Sequence, residues 1–232
     1  AFAIFPILDV ERPEGSFLVT SFEGIYDSLP FQLDTMALIA SQNGGTNHLK
    51  FETDFAEGSI DGVYTLTGLF PDLQQYITRH YGFGTPKPAL LGNQQASMAL
   101  KIKPSNQLTQ FLPGFDMKEA LAVKLDFDSK LCIFDIKGEI PALTYGGNHI
   151  TGGSLFAEGT DSSINFKIYL SEVGNETFAI PTALLQGEVV HNKVYADIRL
   201  LDEKGRLQHT LAGKMEQTAD GLALHVDPSS VI

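Results

Sequence analysis

The sequence predicts an all-β protein, mainly an antiparallel meander, carrying two short helices. Apolar and polar residues alternate in short runs, as in Leu121-Ala122-Val123-Lys124-Leu125-Asp126-Phe127-Asp128, where every odd position is apolar. A period of two sends successive side chains to opposite faces of a strand, so such a run has one apolar face and one wet face. The runs are joined by turn chemistry: Asn43-Gly44-Gly45, Glu57-Gly58, Asp202-Glu203-Lys204-Gly205 and Ala219-Asp220-Gly221. These links are far shorter than the crossover of a dozen or more residues that a parallel pair requires, so sequence neighbours should pair antiparallel.

In chain order, strands are expected near 16–22, 33–40, 48–56, 59–67 and 96–103. A second series follows near 119–127, 131–138, 154–158, 163–170, 184–190, 193–200, 207–213 and 222–227. Two segments change period. Apolar residues at Leu69, Leu73, Tyr76 and Ile77, with Pro71 early and Gly82 as a stop, predict a helix near 69–82. Ser105 as a cap, then Leu108, Phe111 and Leu112 on one side before Pro113-Gly114, predict a short helix near 105–112. The stretch 84–92, with Pro86 and Pro88, reads as a loop. It divides the chain into an N-terminal β sub-region, 1–92, and a C-terminal β-meander sub-region, 93–232.

At 232 residues the chain is long enough for one large β domain or two smaller ones, and 43% hydrophobic with 19% charged residues is a folded composition, not a disordered one. The apolar opening at 1–8 is far short of the roughly 18 residues that cross a bilayer, and no basic segment precedes it as in a signal peptide. Any targeting or anchoring element is therefore expected outside this sequence. The end points the same way: Val226-Asp227-Pro228-Ser229-Ser230-Val231-Ile232 stops as a new apolar run begins, as if cut from a longer protein. A formal net charge of −12 opposes binding to nucleic acid and to anionic membrane surfaces. Cys132 is the single cysteine, which excludes an intrachain disulfide or a thiolate cluster; alternating with Phe134 and Ile136, it reads as a buried apolar thiol.

Catalytic signatures are missing. The six histidines show no metal-ligand spacing on one element, and no Gly-x-Ser-x-Gly elbow occurs. Gly82-Phe83-Gly84-Thr85-Pro86-Lys87 lacks the spacing of a phosphate loop, and Asp126-Phe127-Asp128 lacks the later residues of a calcium loop. Asn175-Glu176-Thr177 matches a glycosylation acceptor, a common chance pattern. The expectation is a protein that is not an enzyme and uses no metal or cofactor. What the pattern does offer is a face: Leu121, Val123, Leu125, Phe127, Ile164, Phe166, Ile168, Val194, Ile198 and Leu200 should share one continuous apolar surface.

The second half also carries a family pattern. Pro141-Ala142-Leu143-Thr144-Tyr145-Gly146-Gly147-Asn148 is followed by Ala157-Glu158-Gly159-Thr160-Asp161 and by Val194-Tyr195-Ala196-Asp197-Ile198-Arg199-Leu200-Leu201-Asp202-Glu203-Lys204-Gly205-Arg206. Leu211-Ala212-Gly213 and Leu222-Ala223-Leu224-His225-Val226-Asp227-Pro228 complete it. In this order the pieces resemble the TamB family, the translocation-and-assembly-module members of the AsmA-like envelope proteins, in their Bacteroidota form. The resemblance covers about residues 96–232 well and 15–82 loosely. It implies a curved, trough-like antiparallel meander with a hydrophobic interior. It also implies a periplasmic segment of an inner-membrane-anchored protein, with phospholipid acyl chains and an outer-membrane barrel as partners. Such proteins move phospholipid toward the outer membrane and support outer-membrane protein assembly. The ten apolar residues then become candidates for a lipid groove.

Two other architectures fit an alternating sequence. Apolar faces packed on each other would give a closed β-sandwich acting as a structural or cell-surface binding module. A membrane β-barrel is the other, though the chain contains no Trp for aromatic girdles.

Overall fold

The computed structural model describes residues 2–7, 11, 13–26, 29–82, 92–218, 221–227 and 230–231. Its strands are β1 (Phe2–Ile7), β2 (Glu14–Tyr26), β3 (Leu29–Asn43), β4 (Thr46–Thr53), β5 (Ala56–Val63), β6 (Gln95–Ile102), β7 (Phe115–Met117), β8 (Leu121–Asp128) and β9 (Ile133–Ile140). They continue with β10 (Leu143–Tyr145), β11 (Asn148–Gly159), β12 (Ile164–Gly174), β13 (Ala179–Val190), β14 (Lys193–Leu201), β15 (Leu207–Thr218), β16 (Gly221–Val226) and β17 (Ser230–Val231). Helix α1 (Leu66–His80) lies between β5 and β6, and α2 (Asn106–Phe111) between β6 and β7.

The fold is all-β, a mostly antiparallel meander with two short helices. Pairing runs from β1 through β2, β3, β4, β5 and β6 to β8 and β9, and on through β11, β12, β13, β14 and β15 to β16. Short β10 joins β11 to β7 at one side, and β17 extends the β15 edge. Among the described residues, edge strands β1 and β16 do not pair with each other, so the sheet is not closed into a barrel. The β5–β6 ladder joins the two sub-regions, and the stretch expected as a loop between them lies, except for Gly92, outside the described residues.

Helix α1 starts a turn earlier than the apolar spacing indicates. Thr65, extended at φ −112°, caps it by accepting the Gly68 N–H at 3.2 Å. Pro71 therefore sits inside the helix, not in its first turn, and removes one backbone hydrogen bond there. Arg79 and His80 occupy the last turn, where cations suit the helix dipole. Helix α2 is capped by Ser105, which accepts the Leu108 N–H at 3.1 Å, and it touches β3 and β7.

Register fixes the faces, because residues directly opposite on paired strands point the same way. One row runs Phe127, Phe134, Gly159, Ile164, Val189, Val194 and Met215. A second runs Leu125, Ile136, Ala157, Phe166, Gly187, Ala196 and Gly213; a third runs Val123, Gly138, Leu155, Ile168, Leu185, Ile198 and Leu211. From β5 to β16 the paired positions on this face hold no Asp, Glu, Lys or Arg; Glu172, at φ 43° two residues beyond Leu170 in β12, follows the same alternation and sits 3.8 Å from His149. The opposite face carries the charge in rows: Asp61, Asp126, Asp135, Glu158 and Glu188 lie in one, and Lys50, Lys124, Lys137 and Lys167 in the next.

Glycine makes room for aromatic rings on the apolar face. A Cβ at Gly187 would lie 2.6 Å from Phe166 Cζ, and one at Gly58 would lie 2.7 Å from Phe51 Cζ. Gly187→Val is expected to lower the melting temperature by roughly 3–10 °C, the effect of overpacking a built interior in a chain of this size. Thermal melting checks it; an unchanged midpoint would mean that the Phe166 ring does not lie over Gly187.

Candidate apolar groove

The apolar face is covered mainly at one end. There α1 lays Leu69 and Tyr76 onto Phe127, Phe134, Ala157 and Ile164, with Leu125, Ile136, Phe166 and Val189 packed around them. Exposure rises away from the helix, from 0% at Tyr76 and 2% at Phe127 to 36% at Ile198, 43% at Leu211 and 71% at Leu224. No second sheet lies over this face among the described residues; all strands belong to one sheet. A single sheet with an apolar face left partly open is a groove and not a sandwich core.

The ten candidate residues all lie on this face by register. They divide by depth. Phe127 and Ile164 sit beneath α1 and are buried, and Leu125 and Phe166 pack at the margin of that core. Leu121, Val123, Ile168, Val194 and Leu200 are half-buried along the open part, and Ile198 is exposed. The structure adds Met98, Leu100, Ile136, Leu155, Leu185 and Leu211 to the same surface. Leu155 could have been found from Phe166 and Ile168 by assuming a hairpin register, whereas the adjacent pair Leu184-Leu185 gives no phase of its own.

Polar contacts tie α1 across the strand ends. The Tyr76 hydroxyl donates to the Thr160 carbonyl at 2.6 Å, and its ring stacks on Phe134 at 5.4 Å and meets Phe127 edge-on at 5.9 Å. His80 places Nδ1 2.9 Å from the Tyr76 carbonyl and Nε2 3.0 Å from the Thr160 carbonyl. Arg79 pairs with Asp161 at 2.6 Å. At the helix end, the Asn192 N–H donates to the His80 carbonyl at 2.9 Å, and the Gly82 N–H donates to Asn192 Oδ1 at 3.1 Å. His191 and Asn192 form the β13–β14 turn at φ 49° and 59°, the left-handed region of a two-residue hairpin turn. Burial raises the Tyr76 hydroxyl well above its ordinary range, so it stays a donor.

Cys132 lies in the turn before β9 at φ 53°, half-buried, and not within a strand. Burial, then its bond to Asp161, pushes the thiol up, which disfavours the thiolate form. Asp161 is held below the usual carboxylate range by Arg79, and then by Cys132. Lys103 and Lys101 do the same for Glu57, Arg206 for Asp202, and Lys214 and Lys193 for Glu216. A lowered folded-state pKa adds stability that is present above the ordinary carboxylate range and is lost as pH falls through the lowered values. The melting temperature should therefore decline below about pH 4 to 4.5. Asp161→Asn and Glu57→Gln should each make the decline slightly shallower, since exposed pairs contribute little singly. A decline centred near neutral pH would contradict this.

Among the described residues no group of His, Cys, Asp and Glu is arranged to hold a metal ion, and no helix is long and apolar enough to cross a membrane. Fold and site together define an open, elongated, hydrophobic β-sheet groove, a form consistent with lipid-binding and lipid-transport proteins. Compared with protein-family models, with curated proteins and with solved structures, the chain matches none.

Proposed function

We propose that this chain is a lipid-carrying segment whose groove holds the acyl chains of a phospholipid. The observation that carries the reading is the scarcity of charge on one partly open face from β5 to β16, where among the described residues only Glu172, beside His149, follows the alternation onto it. An acyl chain gains about 0.8 kcal/mol for each CH₂ removed from water, roughly 10 kcal/mol for a 16-carbon chain, without any specific polar contact. Such a groove needs no catalytic residue and no cofactor. The TamB-like order of motifs extends the reading to a periplasmic segment of an envelope-spanning protein. It would pass phospholipid toward the outer membrane, or support outer-membrane protein assembly with a barrel partner.

A photo-crosslinking residue placed at Val123 or Phe166, on the apolar face, is expected to capture phospholipid in cells. The same residue at Lys124 or Lys167, one position along and on the charged face, is expected to capture none. Equal capture at the two faces, or capture at neither, would remove the lipid reading.

A further inference from the structure

The groove is open along one part and blocked at another, and the block is a single helix. α1 covers Phe127, Phe134, Ala157 and Ile164, which by register continue the open rows of Val123, Ile168 and Ile198 without a charged residue between them. An acyl chain lying along the open part therefore meets the docked helix at that end.

The helix is not docked as a permanent core element would be. The helix carries two buried polar atoms, Asp72 Oδ2, which lies against Gly92, and Gln75 Nε2, that have no hydrogen-bond partner among the described residues. Each pays for desolvation with no bond in exchange, so release lets both return to water. Pro71 removes a backbone hydrogen bond within the same helix. Polar ties hold the helix at both ends: Leu66 and Thr67 bond to Glu11 and the Thr65 N–H to Gln94 at its start, while Tyr76, Arg79, His80 and Gly82 bond to the β11–β12 and β13–β14 turns at its end. Elements that must open in function are drawn from the less protected parts of a structure.

We propose that α1 is a releasable plug of the groove: docked, it closes the Phe127–Ile164 end, and undocked, it uncovers apolar surface that extends the path of the acyl chain. This rests on the lipid-carrying reading. The ties of the last turn release together, because Arg79, His80 and Gly82 lie at one helix end and their partners on two adjacent turns, while the bonds of Thr65, Leu66 and Thr67 keep the start of the helix attached.

Hydrogen exchange of the purified 232-residue chain tests release without any ligand. The amides of α1 are expected to exchange at least tenfold faster than those of β8, β9 and β11 beneath it. Asp72→Leu with Gln75→Leu, which replaces both unpartnered groups, should slow α1 exchange at least tenfold. Arg79→Ala with Asn192→Gly, which keeps the left-handed turn but cuts two ties, should speed it at least tenfold. Uptake of pyrene-labelled phosphatidylethanolamine from phosphatidylcholine vesicles should follow the same order. α1 amides as protected as those of β8, β9 and β11 in the wild-type chain would overturn the plug, and that measurement needs no variant to fold. So would uptake equal within twofold across the three proteins while exchange differs. A wild-type chain that takes up no lipid removes the lipid reading instead, while the exchange data still decide whether α1 undocks.

Discussion

Tyr76→Ala is expected to cost about 3–5 kcal/mol of stability, the range for removing a buried aromatic ring. The ring is fully buried, stacked on Phe134 and edge-on to Phe127, and its hydroxyl donates to Thr160. Truncation leaves a void between helix and sheet and removes one of the two groups that bond to the Thr160 carbonyl, the other being His80 Nε2. Tyr76→Phe separates the two contributions, since it keeps the ring and should cost only about 1 kcal/mol. Urea unfolding of both variants measures the difference. A Tyr76→Ala midpoint close to that of the wild type would mean that α1 is not packed on the sheet in solution.

Ile198→Arg should have the opposite profile, with folding almost unchanged and lipid capture reduced at least tenfold. Ile198 is 36% exposed, so the stability change should stay within about 1 kcal/mol. A guanidinium on that row must lose water each time an acyl chain covers it, and no acidic residue lies in the row of Ile198. Phe166→Asp is expected to block capture too, but it also removes the ring over Gly187 and so confounds folding with function. Thermal melting of the segment comes first, then crosslinked phospholipid is measured. Normal capture by a well-folded Ile198→Arg protein would show that lipid does not pass this row.

Much of the sheet is legible because strict alternation leaves a strand one way to lie. β8 and β14 need nothing more than their sequences. The strands that escape notice are β1, which contains Pro6, and β7, β10 and β17, which have three, three and two residues and are too short to display a period. The start of α1 is obscured because Thr65-Leu66-Thr67 continues the alternation of β5, and because Pro71 imitates a first-turn proline. Cys132 shares the parity of Phe134 and Ile136, but the left-handed turn it occupies leaves no trace in that parity. The shared face of the ten candidates is readable one strand at a time. Its division into a sealed and an open part is not, since that depends on Tyr76 meeting Thr160, 84 residues away.

Strand-by-strand pairing has a consequence for how the molecule comes apart. When each strand pairs with the next, most contacts close short loops, so assembly can proceed from a hairpin outward with little entropic cost. Such an array is a chain of nearest-neighbour couplings and can open from either edge without disturbing the middle. The ties of α1 change this, because the bond from Gly82 to Asn192 closes a span of 110 residues. While α1 is docked they couple β5 through β14 and leave β15 and β16 outside that block. Denaturation should accordingly proceed in stages, with the β16 edge fraying and α1 undocking before the strands from β5 to β14 separate.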